Sequence, residues 1–167
     1  MNISSLGNSS HPSPDSHILG LIPARGGSKR IPRKNLTKLA GKPLIQHTIE
    51  IGLACVKKGM LDRIIVSTDD QEIADVARRL GADVPFMRPS ELANDTATDF
   101  DVCSHAVSEL SKQGWTPTAI VMLRPTQPLR IVEDVAAVVS KFKEGKHDSV
   151  RSLTKAEHHP YWMKKLN

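Results

Sequence analysis

Short apolar runs alternate along this chain with longer stretches in which apolar residues recur every third or fourth position. The first run, Ile18 to Pro23, is closed by proline and reads as a buried strand. A loop rich in Gly, Arg and Lys follows, from Ala24 to about Leu36. Leu44 to Lys57 sets Leu44, Ile45, Thr48, Ile51 and Cys55 at helical spacing, with Pro43 suited to the first turn. Asp62 to Thr68 reads as a strand, and Asp69 or Asp70 caps the next helix, QEIADVARRL, which stops at Gly81. Val84 to Met87 is expected as a strand. Asp95 or Thr96 is expected to cap a helix running through Ser111 and carrying Phe100, Val107 and Leu110. Ala119 to Leu123 reads as a strand, Ile131 to Phe142 as a helix and Ser149 to Leu153 as a further strand.

Strands this apolar, alternating with helices, imply an α/β fold with a mostly parallel sheet covered on both faces. Ligands of such open sheets bind beyond the carboxyl ends of the strands. The loops after Pro23, Ser67 and Leu123 all leave at that edge if the strands are parallel, and they carry ARGGSKRIPRKN, TDD and RPTQPLR. Residues 1–17, rich in Ser, Pro and His, read as a disordered tail, leaving 18–167 as the folded domain.

Charge narrows the function. The net charge is +5, but it is unevenly placed. Residues 1–42 hold Arg25, Lys29, Arg30, Arg33, Lys34, Lys38 and Lys42 against one acid, Asp15, and the remainder is close to neutral. A nucleic-acid surface would spread or stripe its basic residues and offer aromatics for stacking, whereas aromatics are 4% of this chain. One dense patch points to one localised polyanion, so nucleic acid is not an expected partner. No apolar stretch approaches the roughly 18–20 residues of a membrane span, and the N-terminus lacks the basic head and apolar run of a secretory leader. No membrane partner is expected, and the location read from this is cytoplasmic. Cys55 and Cys103, far apart, read as buried small hydrophobes of a reducing compartment. His47 and His105 fall in helical patterns and read as satisfied structural residues; Trp115 reads as a loop anchor.

The loop after the first strand carries the chemistry. Gly26 and Gly27 permit positive φ and close approach of backbone N–H groups to a ligand. Ser28 adds a hydroxyl, Arg25 can engage two phosphate oxygens at once, and Lys29 and Lys34 act as point charges. It is neither a P-loop nor GxGxxG. A triphosphate cradle and a solvated basic patch, such as a nuclear-localisation segment KRIPRK, both fit its composition. Its place after the first strand of an α/β sheet favours phosphate.

The pattern Arg25-x-x-Ser28-Lys29-x-x-Pro32-x-Lys34-Asn35 resembles the signature loop of the acylneuraminate cytidylyltransferases, also called CMP-sialic acid synthetases. DRIIVSTDD (62–70), RPSELANDTAT (88–98), RPTQPLR (124–130) and EHHP (157–160) resemble further blocks of that family in the same order, so the resemblance covers about residues 18–163. It implies a three-layer, Rossmann-like nucleotide-diphospho-sugar transferase fold. It also implies transfer of CMP from CTP to the anomeric hydroxyl of a nonulosonic acid, with release of pyrophosphate and Mg2+ assistance. By the same resemblance, Arg25 and Lys34 are the catalytic residues and hold the triphosphate. Lys29 assists them, and Ala24, Gly27, Ser28 and Asn35 belong to the nucleotide cradle. Arg88 stands where the family has its arginine near the cytosine. Ala97 and Asp99 fall where it contacts base and ribose, with serine common at the second position. Asp99 as a helix-capping acid remains the alternative.

Two departures matter. Arg124 stands where the sialic acid branch often carries a glutamine facing the sugar, which points to another nonulosonic acid, such as a legionaminic-type sugar; a surface arginine paired with a loop carboxylate is the alternative. The Gln-Gly-Asp-type segment of the branch that uses the eight-carbon acid KDO is not found in RPTQP. The chain also stops at Asn167, before the family's late Asp-x-Asp metal ligands, much of its sugar pocket and its dimerisation arm. The expectation is therefore a C-terminally shortened member: nucleotide-competent, with no assignable metal ligand and without the arm for the family's homodimer. Asp69 and Asp70 could approach a metal or cap a helix, and His158 and His159 have too few companions for a metal site. Another sugar nucleotidyltransferase of this fold and a non-catalytic CTP-binding fragment remain as alternatives.

Overall fold

Three parallel strands form the centre of the fold in the computed structural model, which describes residues 17–153. They are β1 (Ile18–Pro23), β4 (Arg63–Ser67) and β5 (Ala119–Met122), in the order β4-β1-β5. β1 is the middle strand, pairing Leu21 with Ile65 on one side and with Met122 on the other. Being covered on both faces, it needs apolar residues at successive positions, which is why ILGLIP does not alternate. An antiparallel pair of two-residue strands, β2 (Lys38–Leu39) and β3 (Lys42–Pro43), precedes the first helix. Ala40 and Gly41, at φ +49° and +83°, supply the paired positive φ of a tight hairpin turn.

Parallel strands need long crossovers, and helices provide them. α1 (Leu44–Lys57) and α2 (Gln71–Arg79) pack with α4 (Val132–Lys143) on one face of the sheet, where Ile22, Ile45, Ile49, Val66, Ala74 and Val139 form one core. α3 (Asp99–Lys112) covers the other face, with Val102, Ala106 and Leu110 against Leu19, Leu21 and Ile65. The result is three layers. Gly52 lets α1 approach the sheet closely, since a Cβ there would stand 3.1 Å from Ile64 Cγ2; the same side chain fills the space over Gly20, where a Cβ would stand 2.9 Å from it.

Most expected elements are present, several with shifted ends, and the differences have local causes. Val84–Met87 is not a strand: one parallel bridge, Ile65 to Asp83, is all that forms, and Pro85 has no N–H to continue it. Ser149–Leu153 is likewise irregular; it lacks a hydrogen-bonded neighbour among the described residues, and Leu153 is exposed. α3 begins at Asp99 rather than after Asp95 or Thr96. Its cap is Thr98, in a reciprocal capping box with Asp101. Phe100, expected on the buried face, is 76% exposed. Asp70 caps α2 by accepting from the Ile73 N–H, and Gly81 follows the helix at φ +86°.

Trp115 anchors its loop as expected, beneath the Arg63 guanidinium and beside His17. His105 stands edge-on to Phe86, but its Nδ1 is buried without a partner among the described residues, so it is not satisfied. Cys55 is buried and Cys103 half-buried, both as free thiols. Among the described residues, no helix is long and apolar enough to cross a membrane. Most of the expected tail, the EHHP block and Tyr161 and Trp162 lie outside the described residues.

Candidate functional site

All three strands end at one edge of the sheet, and the loops expected there converge on it. Between them lies a cleft of about 260 Å³. Arg25, Ser28, Lys34, Asn35, Arg88, Ala97, Asp99 and Arg124, all chosen from the sequence, line it. Ala24, Gly27 and Lys29 do not. Ala24 is buried and ties the loop to β4 through a 3.0 Å bond from its N–H to the Ser67 carbonyl. Gly27 faces open space, and Lys29 sits on the rim, paired with Asp95. A larger groove of about 410 Å³ runs beside β5, but its walls are mostly apolar, and among the described residues Asp148 is the one ionisable side chain lining it. A polyanion would not lodge there; the chemistry favours the smaller cleft.

The basic loop is shaped differently from the sequence expectation. Neither Gly26 nor Gly27 takes positive φ; Arg33 does, at +53°. Gly26 is required by contact instead. A Cβ there would lie 2.6 Å from Asp70 Oδ2, while the Gly26 N–H donates to Asp69 Oδ1 at 3.0 Å. The returning leg is held by Asn35, which is buried and donates through Nδ2 to the Arg25 carbonyl at 3.0 Å. Asn35 thus joins the two legs of the loop and keeps Arg25 and Lys34 on one cleft wall.

Opposite this loop, residues 94–99 form the other wall. Asn94 Oδ1 accepts from the Thr96 and Ala97 N–H groups, a local turn that brings Asp95 to the rim. Arg25 donates to the Asn94 carbonyl at 2.7 Å and to Asp95 at 2.8 Å. With Lys29 and Arg25 beside it, the Asp95 carboxyl is held below the usual carboxylate range. Asp99 does not cap α3. It pairs across the cleft with Arg124, so that this arginine lines the cleft and meets a carboxylate at the first position of α3.

Arg88 is the unusual charge. Its side chain is 4% exposed, and Nε and Nη2 have no hydrogen-bond partner among the described residues. Asp69 stands 4.0 Å away, and burial pushes the guanidinium pKa down, aided by Arg25 and opposed by Asp69. Buried polar atoms are nearly always bonded, so two unpartnered donors on a residue that lines the cleft stand out.

Each carboxylate around the cleft already meets a cation: Asp95 with Arg25 and Lys29, Asp99 with Arg124, Asp70 with Arg33, Asp69 near Arg88. Among the described residues no group of three His, Cys, Asp or Glu side chains could hold a metal ion. Sequence reasoning missed Asp95, Asn94 and Arg33; only the Asx-turn composition of AND gave a local hint of the first two.

Residues 19–164 match the family described as Cytidylyltransferase. The chain is 38% identical over 151 residues to CMP-N,N'-diacetyllegionaminic acid synthase of Legionella pneumophila, covering 90% of this chain and 63% of that protein. It is 37% identical over 140 residues to pseudaminic acid cytidylyltransferase of Campylobacter jejuni, covering 84% and 59%. The chain therefore spans about three fifths of these relatives' length. Among solved structures, CMP:2-keto-3-deoxy-manno-octonic acid synthetase complexed with CTP superposes with a TM-score of 0.63 at 25% identity, covering 77% of this chain and 48% of that one.

Proposed function

The chain belongs to the cytidylyltransferase family, and from that premise we propose that its cleft binds CTP for transfer of CMP to the anomeric hydroxyl of a nonulosonic acid. The observation that carries this reading is the pairing of a cationic loop, Arg25 to Lys34, with the buried, unpartnered Arg88 on one cleft beyond the parallel strands. The two differ in exposure: the loop cations Arg25 and Lys29 are open to solvent, whereas Arg88 is buried. Arg25 and Lys34 face the triphosphate, with Ser28 and Lys29 beside them. Arg88 takes an acceptor on the base, and Ala97 and Asp99 lie along base and ribose.

In this reaction the sugar hydroxyl oxygen forms a bond to the α-phosphorus, the bond to the β-phosphate oxygen breaks, and pyrophosphate leaves with the electron pair. The hydroxyl proton departs to solvent. Such transfers depend on in-line positioning and on neutralising charge as it builds on the leaving group. Arg25 and Lys34 are placed for the second task. Arg124, which lines the cleft and pairs with Asp99, is the residue assigned to the sugar acid. Relatives that use legionaminic and pseudaminic acids support a nonulosonic substrate. Magnesium is proposed as a companion of the triphosphate, as Mg2+ commonly is, without a protein cage. The free thiols suit a reducing, cytoplasmic setting where CTP is available.

The test is pyrophosphate release from CTP and Mg2+ with a panel of nonulosonic acids. Release matched by formation of a CMP-sugar with at least one of them is the expected result. Release only with sugar 1-phosphates would place the chain with another nucleotidyltransferase activity, and turnover with no sugar acid would overturn the proposal.

Asp95 yields a prediction of opposite sign to those for the cations. It holds Arg25 and Lys29, so an incoming phosphate must displace it. Asp95→Asn is expected to tighten CTP binding by about threefold to tenfold at low salt, the scale of an exposed charge contact, and by less at high salt. Isothermal titration at two ionic strengths checks it; weaker binding in the variant would show that Asp95 assists the ligand instead.

A further inference from the structure

The consecutive acids at the end of β4 serve the loop unequally. Asp70 is largely buried, its side chain 17% exposed, and its carboxylate meets three separate parts of the fold. Oδ1 accepts the Ile73 N–H at 3.0 Å, capping α2. Both oxygens accept from the Arg33 guanidinium, which also reaches Glu72. The same carboxylate lies against Gly26, where no side chain would fit. Asp70 therefore touches the outgoing leg of the basic loop at Gly26 and holds its returning leg through Arg33.

Arg33 is the position at which the loop turns back. It has left-handed φ, the Leu36 N–H donates to its carbonyl at 2.8 Å, and Lys34 and Asn35 follow immediately. Arg33 itself does not line the cleft; Lys34 and Asn35 do. A left-handed arginine is costly and persists only where its surroundings hold it. Here Asp70, the cap of α2, and Glu72 in its first turn do so, and Arg33 in turn keeps the Asp70 carboxyl below the ordinary range.

We propose that Asp70, acting through Arg33, is a positioning residue of the nucleotide site: the pair clamps the returning leg of the loop to α2 and so sets where Lys34 and Asn35 meet the triphosphate. The inference rests on the CTP reading above. It also gives the second acid of TDD a role in the site beyond capping.

Asp70→Asn separates the possibilities, because asparagine caps a helix about as well as aspartate but cannot form the charge-assisted pair. Simple electrostatics predicts that losing an acid beneath a cationic loop tightens anion binding. The clamp predicts the reverse: CTP affinity falls about tenfold, a fold-change that isothermal titration resolves easily, while the thermal midpoint holds. Arg33→Gln, at an exposed side chain, is expected to do the same, and Arg33→Lys to recover part of the loss. The double variant Asp70→Asn with Arg33→Gln should be little weaker than either single, as coupled partners are. Hydrogen exchange provides a readout free of nucleotide: amides 26–36 should exchange faster in both single variants, with α2 unchanged. CTP affinity equal to or above wild type in Asp70→Asn would overturn the clamp. If the wild-type chain bound no CTP, the nucleotide reading itself would fall, and unchanged exchange in the loop would then reject the clamp independently.

Discussion

Arg88→Met is expected to weaken CTP binding by about 100-fold while leaving the thermal midpoint unchanged or raised. Two charge-assisted hydrogen bonds, each worth about 1.5 kcal/mol or more, account for that factor. The effect on stability follows from what Arg88 lacks. Its Nε and Nη2 are buried without partners among the described residues, and the Asp69 carboxylate is 4.0 Å off rather than in contact. An apolar side chain of similar length relieves that desolvation. Asp69 is not stranded by the change, because it keeps the Gly26 N–H and is 25% exposed. The Arg88 N–H bond to the Thr68 carbonyl, 2.7 Å, belongs to the backbone and survives. Calorimetry and a thermal melt on the same preparation check both halves. A variant that unfolds, or one that binds CTP normally, would show that the guanidinium serves the fold and not the ligand.

Arg25→Ala is expected to lower affinity for CTP and for tripolyphosphate alike, by about 30-fold to 100-fold, as loss of a bidentate phosphate contact does. Arg130→Ala supplies the comparison. Arg130 is also partly buried and basic, but it does not line the cleft and bonds to Gln127. Its loss should move CTP affinity by less than about threefold, as a substitution away from the cleft does. Equal losses in the two variants would mean that the chain's overall positive charge, rather than a shaped cradle, attracts the nucleotide. The contrast with Arg88→Met is informative. Arg25 should affect every triphosphate, and Arg88 should affect CTP more than tripolyphosphate.

Much of this molecule can be read from its residues because strand and helix patterns here are governed by local burial. Ile18–Pro23 and Leu44–Lys57 have the expected bounds, since each is closed by a residue with its own rule, proline or a change to polar sequence. The misplaced features depend on partners that local pattern cannot show. Val84–Met87 has strand-like residues, but Pro85 withholds the donor that pairing needs. Asp95 and Thr96 look like caps, yet Asn94 draws Thr96 into its own turn and Thr98 with Asp101 caps the helix instead.

The site divides in the same way. Arg25, Ser28, Lys34 and Asn35 lie in one stretch, so spacing and resemblance find them together, and the cleft holds all four. Asp95 meets Arg25 from 70 positions away, and Asp70 meets Arg33 from 37. No short motif contains both members of either pair. Gly26 was expected for its freedom of φ but is required by the Asp70 carboxylate, a contact that appears only once β4 lies beside β1.

The central claim is that this cleft is a CTP site. Its most direct test is an isothermal titration of the chain with CTP beside ATP, tripolyphosphate and a short oligonucleotide at moderate salt. The account predicts one CTP per chain, bound more tightly than ATP or tripolyphosphate, with that preference lost in Arg88→Met. Binding of the oligonucleotide without preference for CTP, or equal affinity for all three phosphate ligands, would contradict it.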